Sequence, residues 1–302
     1  MKSIRIGTRN SALALWQARE VARYLQNNNY TTEIVPILSS GDKNLNQPLY
    51  ALGITGVFTR DLDTALLNDE IDIAVHSLKD VPTKLPEHLE LIAYLERDYP
   101  QDVLIRKEEA KNKEFHELKL ATSSLRRRAF WLKYYPEAIF SDIRGNIQTR
   151  LQKLEEQDFD ATILSLAGIK RMKMDIDYEM LPLMIPAPSQ GVIAIAGHSD
   201  KKEINEIVSQ INHKQTQICV EIERNFLSTL EGGCTAPIGA FAEIFDDQIR
   251  FKAALCSLDG KNCIATDESF VYNDSENFGE KFAKVVLENG GKELMAEIKS
   301  QL

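Results

Sequence analysis

Residues 3–38 read SIRIGTRNSALALWQAREVARYLQNNNYTTEIVPIL. The alternating isoleucines of Ser3–Gly7 predict a short strand. Apolar residues near helical spacing over Ser11–Leu25 predict a helix, and Thr32–Leu38 has the pattern of a second strand. This strand–helix–strand order is typical of a βαβ unit with parallel strands.

The same alternation continues along the chain in two blocks. Phe58–Leu67 has a helical pattern and Ile71–Val75 has the pattern of a buried strand. A second block begins near Gln101, and Ile185–Gly197 is interpreted as a segment that crosses back to the first block. The pattern in the second block predicts the strands Asp102–Ile105, Lys119–Thr122, Ala138–Asp142 and Ala161–Leu164, and the helices Leu125–Tyr134 and Asn146–Glu156. Two α/β halves joined by two crossings form a cleft, and ligands tend to bind there near the carboxyl ends of the strands.

The last part of the chain has a different pattern. A predicted helix over Thr216–Leu230 precedes three β runs, Ile238–Phe245, Ile249–Leu258 and Cys263–Tyr272, and two helical patterns follow. The turns between the strands are predicted at Asp246-Asp247 and Asp259-Gly260. The predicted fold class is therefore α/β, with two α/β domains and a smaller α+β C-terminal domain that has a three-stranded antiparallel sheet. The expected domains are 1–97 with 190–212, then 98–189, then 213–302.

Composition excludes several classes of protein. The 302 residues are 43% hydrophobic and 27% charged, which is ordinary for a globular chain. The net charge of −9 argues against a nucleic-acid partner. No apolar run is long enough for a membrane span, and no signal-peptide pattern precedes the first strand, so a cytoplasmic protein is expected. The cysteines, Cys219, Cys234, Cys256 and Cys263, lack metal-ligand spacing and are expected to be free thiols.

Arginines occur where helices disfavour them. Arg126 and Arg127 fall in the first turn of a predicted helix, after Ser123 and Ser124, while Arg9 and Arg144 each precede a helix start. A helix N-terminus carries partial positive charge, so a cation there is unfavourable unless an anion binds. We therefore expect these arginines to bind a ligand with several carboxylates or phosphates rather than to stabilise the fold. The alternative is that they are solvated surface arginines in local ion pairs.

Two further positions suggest chemistry. Asp80 lies in His76–Pro82, at the end of a buried strand, and Pro82 disfavours helical geometry in the residue before it. Asp80 is thus either a catalytic carboxylate or a structural turn residue. Cys234 follows two glycines at a predicted helix end, which favours an exposed, reactive thiol, although most cysteines are buried and inert.

Six segments in the same order resemble the porphobilinogen deaminase family. They are 6–17 (IGTRNSALALWQ), 76–82 (HSLKDVP), 122–127 (TSSLRR), 143–151 (IRGNIQTRL), 186–191 (PAPSQG) and 230–239 (LEGGCTAPIG). The resemblance covers nearly the whole chain, and it implies that the two α/β domains are similar to periplasmic binding proteins.

The resemblance also implies an activity. Hydroxymethylbilane synthases of this family condense four porphobilinogens onto a dipyrromethane cofactor, with loss of ammonia, and release the linear tetrapyrrole by hydrolysis. By the match, Cys234 carries the cofactor in a thioether and Asp80 is catalytic. The implied cofactor-binding residues are Lys79, Asp80, Ser123, Arg126, Arg127, Arg144 and Gly145. The implied substrate-binding residues are Arg9, Ser11, Phe58, Arg144, Arg150, Arg171 and Gln190. The resemblance implies no metal and suggests a monomer.

This sequence departs from the family pattern at three positions. Thr55 occupies a place where lysine is common, and Ala121 and Ser189 each replace a usual glycine. None of them coincides with Asp80, Cys234 or the matched arginines.

Rival functions remain possible on the residues alone. A non-catalytic two-lobed binding protein for a carboxylated solute fits the α/β halves and the arginines, but it gives Cys234 no role. A thiol-dependent hydrolase would need a base beside Cys234, and a transcription-factor effector would need a DNA-reading module. The mass of the purified protein separates these functions, because only the synthase carries a covalent dipyrrole.

Overall fold

The computed structural model describes residues 3–38, 56, 58–232, 236–272 and 277–302. In chain order the strands are β1 (Ile4–Arg9), β2 (Thr32–Ile37), β3 (Ile73–Ser77), β4 (Leu89–Tyr94), β5 (Asp102–Arg106), β6 (Lys119–Ala121), β7 (Ile139–Ser141), β8 (Ala161–Ser165), β9 (Glu179–Met180), β10 (Ile193–His198), β11 (Ile238–Phe245), β12 (Gln248–Cys256) and β13 (Cys263–Val271). The helices are α1 (Ala12–Asn27), α2 (Arg60–Leu67), α3 (Leu125–Leu132), α4 (Ile147–Glu156), α5 (Leu166–Arg171), α6 (Lys202–Ser209), α7 (Lys214–Thr229), α8 (Phe278–Val286) and α9 (Lys292–Gln301).

The described residues form two compact units. The first contains residues 3–38, 56, 58–98 and 191–217, and the second contains 99–190, 218–232, 236–272 and 277–302. The second α/β sheet and the C-terminal sheet both belong to the second unit, and the division into three domains remains a prediction.

The first unit is built on a five-stranded sheet with the order β2-β1-β3-β10-β4. Strand β1 pairs in parallel with β2 and β3, as expected for βαβ connections. Strand β10 runs antiparallel to both β3 and β4, so the prediction of a parallel sheet is only partly right. The reason is that β10 belongs to the segment that crosses back from the second unit and enters the sheet in the opposite direction.

Apolar residues cover both faces of this sheet. Val21 and Leu25 of α1 pack with Ile6 and Ile195 on one face, and Leu62 and Leu66 of α2 pack on the other. Helix α1 begins where the sequence predicts, because the Ser11 side chain caps it by accepting a hydrogen bond from the Ala14 N–H.

The α/β part of the second unit has a similar sheet, with the order β7-β6-β8-β5-β9. Strands β7, β6 and β8 are parallel, whereas β5 is antiparallel to β8 and β9. Strand β5 is the first strand of this unit along the chain. As with β10 in the first unit, the strand next to the crossing is antiparallel to its neighbours. Buried residues such as Trp131, Leu104 and Leu120 form the core on one face.

The C-terminal strands form the predicted three-stranded antiparallel sheet, in the order β11-β12-β13. Phe226 of α7 packs edge-on against Phe251 of β12, with 5.5 Å between the ring centres. The left-handed conformations of Asp246 and Gly260 make the two turns, as predicted.

Two cysteines differ from the sequence-based expectation. Cys256 and Cys263 pair directly across β12 and β13 and are joined in a disulfide. The prediction of free thiols is wrong for these two, because the strand register places their side chains side by side. Cys219 is buried and keeps its thiol.

Helix length bears on membrane insertion. In the part of the chain that the structure describes, no helix combines the length and the apolar character that a membrane span requires.

Candidate active site

Strands β1 and β3 end at the same edge of the first sheet. Ile6 is paired with Ile73 and Gly7 with Ala74, so Arg9 and His76 each lie two residues beyond a paired position. Chain segments that leave this carboxyl edge are therefore neighbours.

Asp80 lies on a short turn just beyond β3. Leu78–Asp80 forms one 3-10 turn, closed by a hydrogen bond from the Val81 N–H to the Leu78 carbonyl oxygen at 3.0 Å. Val81 is extended, as expected before Pro82. Leu78 is buried and anchors the turn, while Lys79 and Asp80 are half-buried. The predicted turn geometry of Asp80 is thus confirmed.

Arg9 lies over an aromatic ring and acts electrostatically on a buried histidine. Its guanidinium carbon lies 4.3 Å from the centre of the Phe58 ring, which is a cation–π contact. Burial, and then the charge of Arg9, lower the pKa of His76 to about 4. His76 is therefore neutral at physiological pH and does not compete with Arg9 for an anion.

Ser11 and Gln17 connect α1 to this edge. As the cap of α1, Ser11 accepts with its side-chain oxygen, and a serine that accepts in this way can also donate its O–H to a carboxylate. Gln17 donates from Nε2 to Ser77 Oγ at 2.8 Å, which ties α1 to the end of β3.

In the second unit, Arg126 and Arg127 occupy the first turn of α3, after the N-cap Ser124. Both are buried and both pair with Asp102, whose side chain is 0% exposed. Arg126 Nη1 donates to Asp102 Oδ2 at 2.7 Å, and Arg127 Nη2 donates to Asp102 Oδ1 at 2.8 Å. The expectation that these arginines do not stabilise the fold is wrong, because both donate hydrogen bonds to a carboxylate that is fully buried.

The two arginines use their nitrogens differently. Arg127 donates from Nε and Nη2 to Asp102, and from Nη1 to the Ile163 carbonyl oxygen at 2.7 Å. Arg126 donates only from Nη1, to Asp102 and to the Ile185 carbonyl oxygen. Within the described residues, Nε and Nη2 of Arg126 make no hydrogen bond and so remain as donors for a ligand.

Gln190 also contacts Asp102. Its side chain is 1% exposed, and Nε2 donates to the Pro100 carbonyl oxygen at 2.6 Å and to Asp102 Oδ1 at 3.1 Å. Both hydrogens of this amide are thus directed into the protein, and a direct contact between Gln190 and substrate remains a prediction.

Ser123 joins the loops that follow β6 and β7. Its Oγ donates to the Ile143 carbonyl oxygen and accepts from the Ile143 N–H, both at 3.0 Å. Gly145 has a φ of +120°, and a Cβ there would lie 2.6 Å from Thr149 Cγ2, so only glycine fits between Arg144 and the start of α4.

Arg144, Arg150 and Arg171 are the other predicted ligand-binding cations of this unit. Arg144 precedes the N-cap Asn146, as predicted, and burial lowers its pKa. Arg150 donates from Nε to the Gly145 carbonyl oxygen at 2.9 Å, and this bond holds it beside the same helix start. Arg171 lies in the last turn of α5 and is 7% exposed.

Comparison with known proteins gives the family. The model of the porphobilinogen deaminase dipyrromethane cofactor-binding domain matches residues 4–206, and the model of the C-terminal domain matches 217–288. The chain belongs to the porphobilinogen deaminase family. A porphobilinogen deaminase of Syntrophomonas wolfei is 40% identical over 98% of this chain and 99% of its own length. A probable porphobilinogen deaminase of Methanocaldococcus jannaschii is 46% identical over 85% of this chain and 89% of its own.

Membership confirms the fold class, the enzymatic nature of the chain and dipyrromethane as its cofactor. The predicted attachment residue, Cys234, lies outside the described residues, as do Gly233 and Thr235. Thr55, which replaces a common lysine of the porphobilinogen deaminases, also lies outside them.

The described side chains suit the dipyrromethane of a porphobilinogen deaminase, which carries acetate and propionate groups. Arg126 keeps two donor nitrogens, and Arg144 lies just before the N-cap Asn146, at a helix start where an anion is favoured. The predicted residues that the structure describes divide between the two units: Arg9, Ser11, Phe58, Lys79 and Asp80 lie in the first, and Ser123, Arg126, Arg127, Arg144, Gly145, Arg150, Arg171 and Gln190 lie in the second.

Asp102 was missed by sequence reasoning. Two adjacent arginines in one buried helical turn require a nearby acid, and this requirement is the signal by which Asp102 could have been predicted.

Proposed function

We propose that the chain is a hydroxymethylbilane synthase that condenses four porphobilinogen molecules, with loss of one ammonia each, and releases a linear tetrapyrrole by hydrolysis. The observation that carries the proposal is the position of Asp80, a half-buried carboxylate on the turn after β3, at the sheet edge where Arg9 also lies. Cations suit the carboxylates of porphobilinogen. A carboxylate suits the positive charge that develops on its pyrrole ring during the reaction.

Bound dipyrromethane supplies the primer to which the substrate is joined, and we propose that Cys234 holds it through a thioether. Arg126, Arg144 and Ser123 would hold its carboxylate groups, together with Lys79 and Gly145. Arg127 is proposed as a cofactor-binding residue too, although its three nitrogens donate to Asp102 and Ile163 in this structure.

Asp80 would act on the substrate pyrrole. Departure of ammonia from the aminomethyl group of porphobilinogen leaves positive charge on the pyrrole nitrogen. A carboxylate that accepts the pyrrole N–H stabilises this charge where it develops. Asp80 would also take up the proton that the attacking pyrrole carbon loses when the new bond forms. Arginine and lysine side chains have no acceptor atoms and cannot take this role.

The remaining cations would bind the acetate and propionate of porphobilinogen. Arg9 is the best placed, because the Phe58 ring orients its guanidinium at the sheet edge where Asp80 follows β3. Ser11 can add an O–H donor from the helix cap. Arg150, Arg171 and Gln190 are proposed for the same purpose on the strength of the family resemblance.

The test is turnover of porphobilinogen by cofactor-loaded Asp80→Asn. We expect this variant to fold and to hold dipyrromethane, but to turn over at least about a hundredfold more slowly, as loss of general acid–base catalysis implies. Asp80→Glu should retain more activity.

Asp69→Asn is the matched control. Asp69 is an exposed carboxylate of the same unit, and it pairs with Lys201. This control should keep the parent rate. Parental turnover by Asp80→Asn would make Asp80 a structural turn residue. If the parent protein bound porphobilinogen without consuming it, a non-catalytic binding protein would be the better account.

We further propose that the enzyme is a cytoplasmic monomer, in line with the family resemblance. The Cys256–Cys263 disulfide is unusual for a reducing compartment. Cell fractionation and light scattering test this proposal directly: activity in the cytosolic fraction at the mass of a single chain is expected. Activity outside the cytosol, or the mass of a dimer, would contradict it.

A further inference from the structure

Asp102, the first residue of β5, joins three parts of the second unit. Its side chain accepts from Arg126 and Arg127 of α3, and from Gln190 of the segment that leads back to the first unit. Burial alone would raise the pKa of Asp102, but the charges of the two arginines and their hydrogen bonds hold it well below its usual value. Asp102 is therefore a permanent anion in the folded protein.

This carboxylate fixes the conformation of Arg126. Asp102 Oδ2 and the Ile185 carbonyl oxygen each lie 2.7 Å from Arg126 Nη1, so one end of the guanidinium is clamped from two sides. The clamp leaves Nε and Nη2 in a fixed direction, and these two nitrogens form the edge with which arginine binds a carboxylate through two parallel bonds.

The charges of the group do not cancel. Two arginine cations face one carboxylate, and Asp102 is the carboxylate that pairs with them among the described residues. The group of three side chains has a net charge of about +1. Its donor nitrogens for an anion are those of Arg126, whose guanidinium already has a fixed orientation. A site organised in this way loses little conformational freedom when an anion binds.

We propose that Asp102 is a positioning residue of the enzyme, which acts through Arg126 to orient the donors that hold a carboxylate of the bound pyrrole chain. This role rests on the proposed function. It is distinct from fold stability alone, because Asp102 would act on ligand binding through the orientation of Arg126.

Positioning by Asp102 and simple electrostatics predict opposite effects of Asp102→Asn on the binding of an anionic substrate. The substitution removes a negative charge, so electrostatics alone would strengthen binding of an anionic substrate. Loss of the clamp would weaken binding, because the Arg126 edge would no longer be oriented.

The experiment compares Asp102→Asn with Asp160→Asn. Asp160 is another largely buried acid of the same unit, directly before β8, and it accepts from Lys113 Nζ and the Lys119 N–H. The measurements are the free energy of unfolding, the fraction of protein with covalent dipyrrole by intact mass, and KM and kcat for porphobilinogen on the cofactor-loaded fraction.

Both variants should lose stability. Asp102→Asn should also take up less dipyrrole and show a KM raised by about tenfold or more, the change that one misplaced charged hydrogen bond implies. Asp160→Asn should keep the parental KM and cofactor content. If Asp102→Asn, once folded and loaded, has a parental or lower KM, the proposal is overturned.

Asp102→Glu decides the question if Asp102→Asn does not fold. Glutamate keeps the charge needed by both arginines but moves the acceptor oxygens by one methylene. A raised KM at near-parental stability supports positioning, and a parental KM overturns it. A parent protein that does not convert porphobilinogen would instead refute the proposed function, whatever these variants show.

Discussion

Ser123 Oγ donates to the carbonyl oxygen of Ile143 and accepts from its N–H, with both distances at 3.0 Å. One hydroxyl thus fixes both polar groups of the residue before Arg144. The loops after β6 and β7, which carry Ser123, Arg144 and Gly145, are therefore held in register by a side chain that the family resemblance assigns to the cofactor.

Ser123→Ala tests this link. The free energy of unfolding should fall by about 1–3 kcal/mol, because a half-buried N–H and a carbonyl lose their partner. The KM for porphobilinogen should rise as Arg144 loses its fixed position. Urea unfolding and steady-state kinetics measure the two effects. If the variant has parental stability but a raised KM, Ser123 acts on a ligand directly instead.

Arg127 and Arg144 should differ in apo-protein stability. Arg127→Leu removes the hydrogen bonds that buried Asp102 and the Ile163 carbonyl oxygen accept from Arg127, which should cost about 1.5–3 kcal/mol or more, although Asp102 keeps Arg126. Arg144 lies at the start of α4, where the helix dipole disfavours a cation, so Arg144→Leu should hold or raise stability while it impairs cofactor assembly. Thermal unfolding of both apo-proteins provides the comparison. Equal losses would show that both arginines are structural.

At two of the departures from the family pattern, substitution by glycine should change stability in opposite directions. Ser189 is buried, has a φ of +67°, and its Oγ has no hydrogen-bond partner. Ser189→Gly should therefore raise stability by about 1–2 kcal/mol. Ala121 lies in the regular strand β6, where Ala121→Gly should lower stability by roughly 0.5–1 kcal/mol. Chemical denaturation measures both, and a loss of stability in Ser189→Gly would show that the left-handed turn is not strained.

His76 makes stability depend on pH. Its folded-state pKa is lowered to about 4 by burial and by Arg9, whereas the unfolded chain takes up the proton near 6.5. Its contribution is fully present above pH 6.5 and is lost as the pH falls towards 4. When the pH falls from about 7 to 4.5, the free energy of unfolding of His76→Gln should decrease by roughly 2 kcal/mol less than that of the parent protein. Identical pH profiles would place the titration elsewhere.

Local periodicity predicted most of the fold. The helix capped by Ser11, the turn before Pro82 and the C-terminal strands depend on residues close in sequence, and they lie within a few positions of their predicted bounds. Strand β4 and helix α6 were missed. The antiparallel direction of β5 and β10 depends on how the chain crosses between units, which no local pattern records.

The site was predicted only in part, for the same reason. Helix physics singled out Arg126 and Arg127 as cations that need an anion, and the anion in the structure is Asp102, more than twenty residues away in sequence. The Cys256–Cys263 pairing likewise depends on strand register. Such contacts between distant residues appear only when the tertiary structure is known.

The most direct test of the account is the intact mass of the purified protein, followed by peptide mapping. We predict that the mass exceeds that of the 302-residue chain by one dipyrromethane, and that the adduct maps to the peptide that contains Cys234. Cys234→Ser should lack both the adduct and activity, while Cys219→Ser should keep both. An active enzyme at the unmodified mass, or an adduct on a different cysteine, would contradict the central claim.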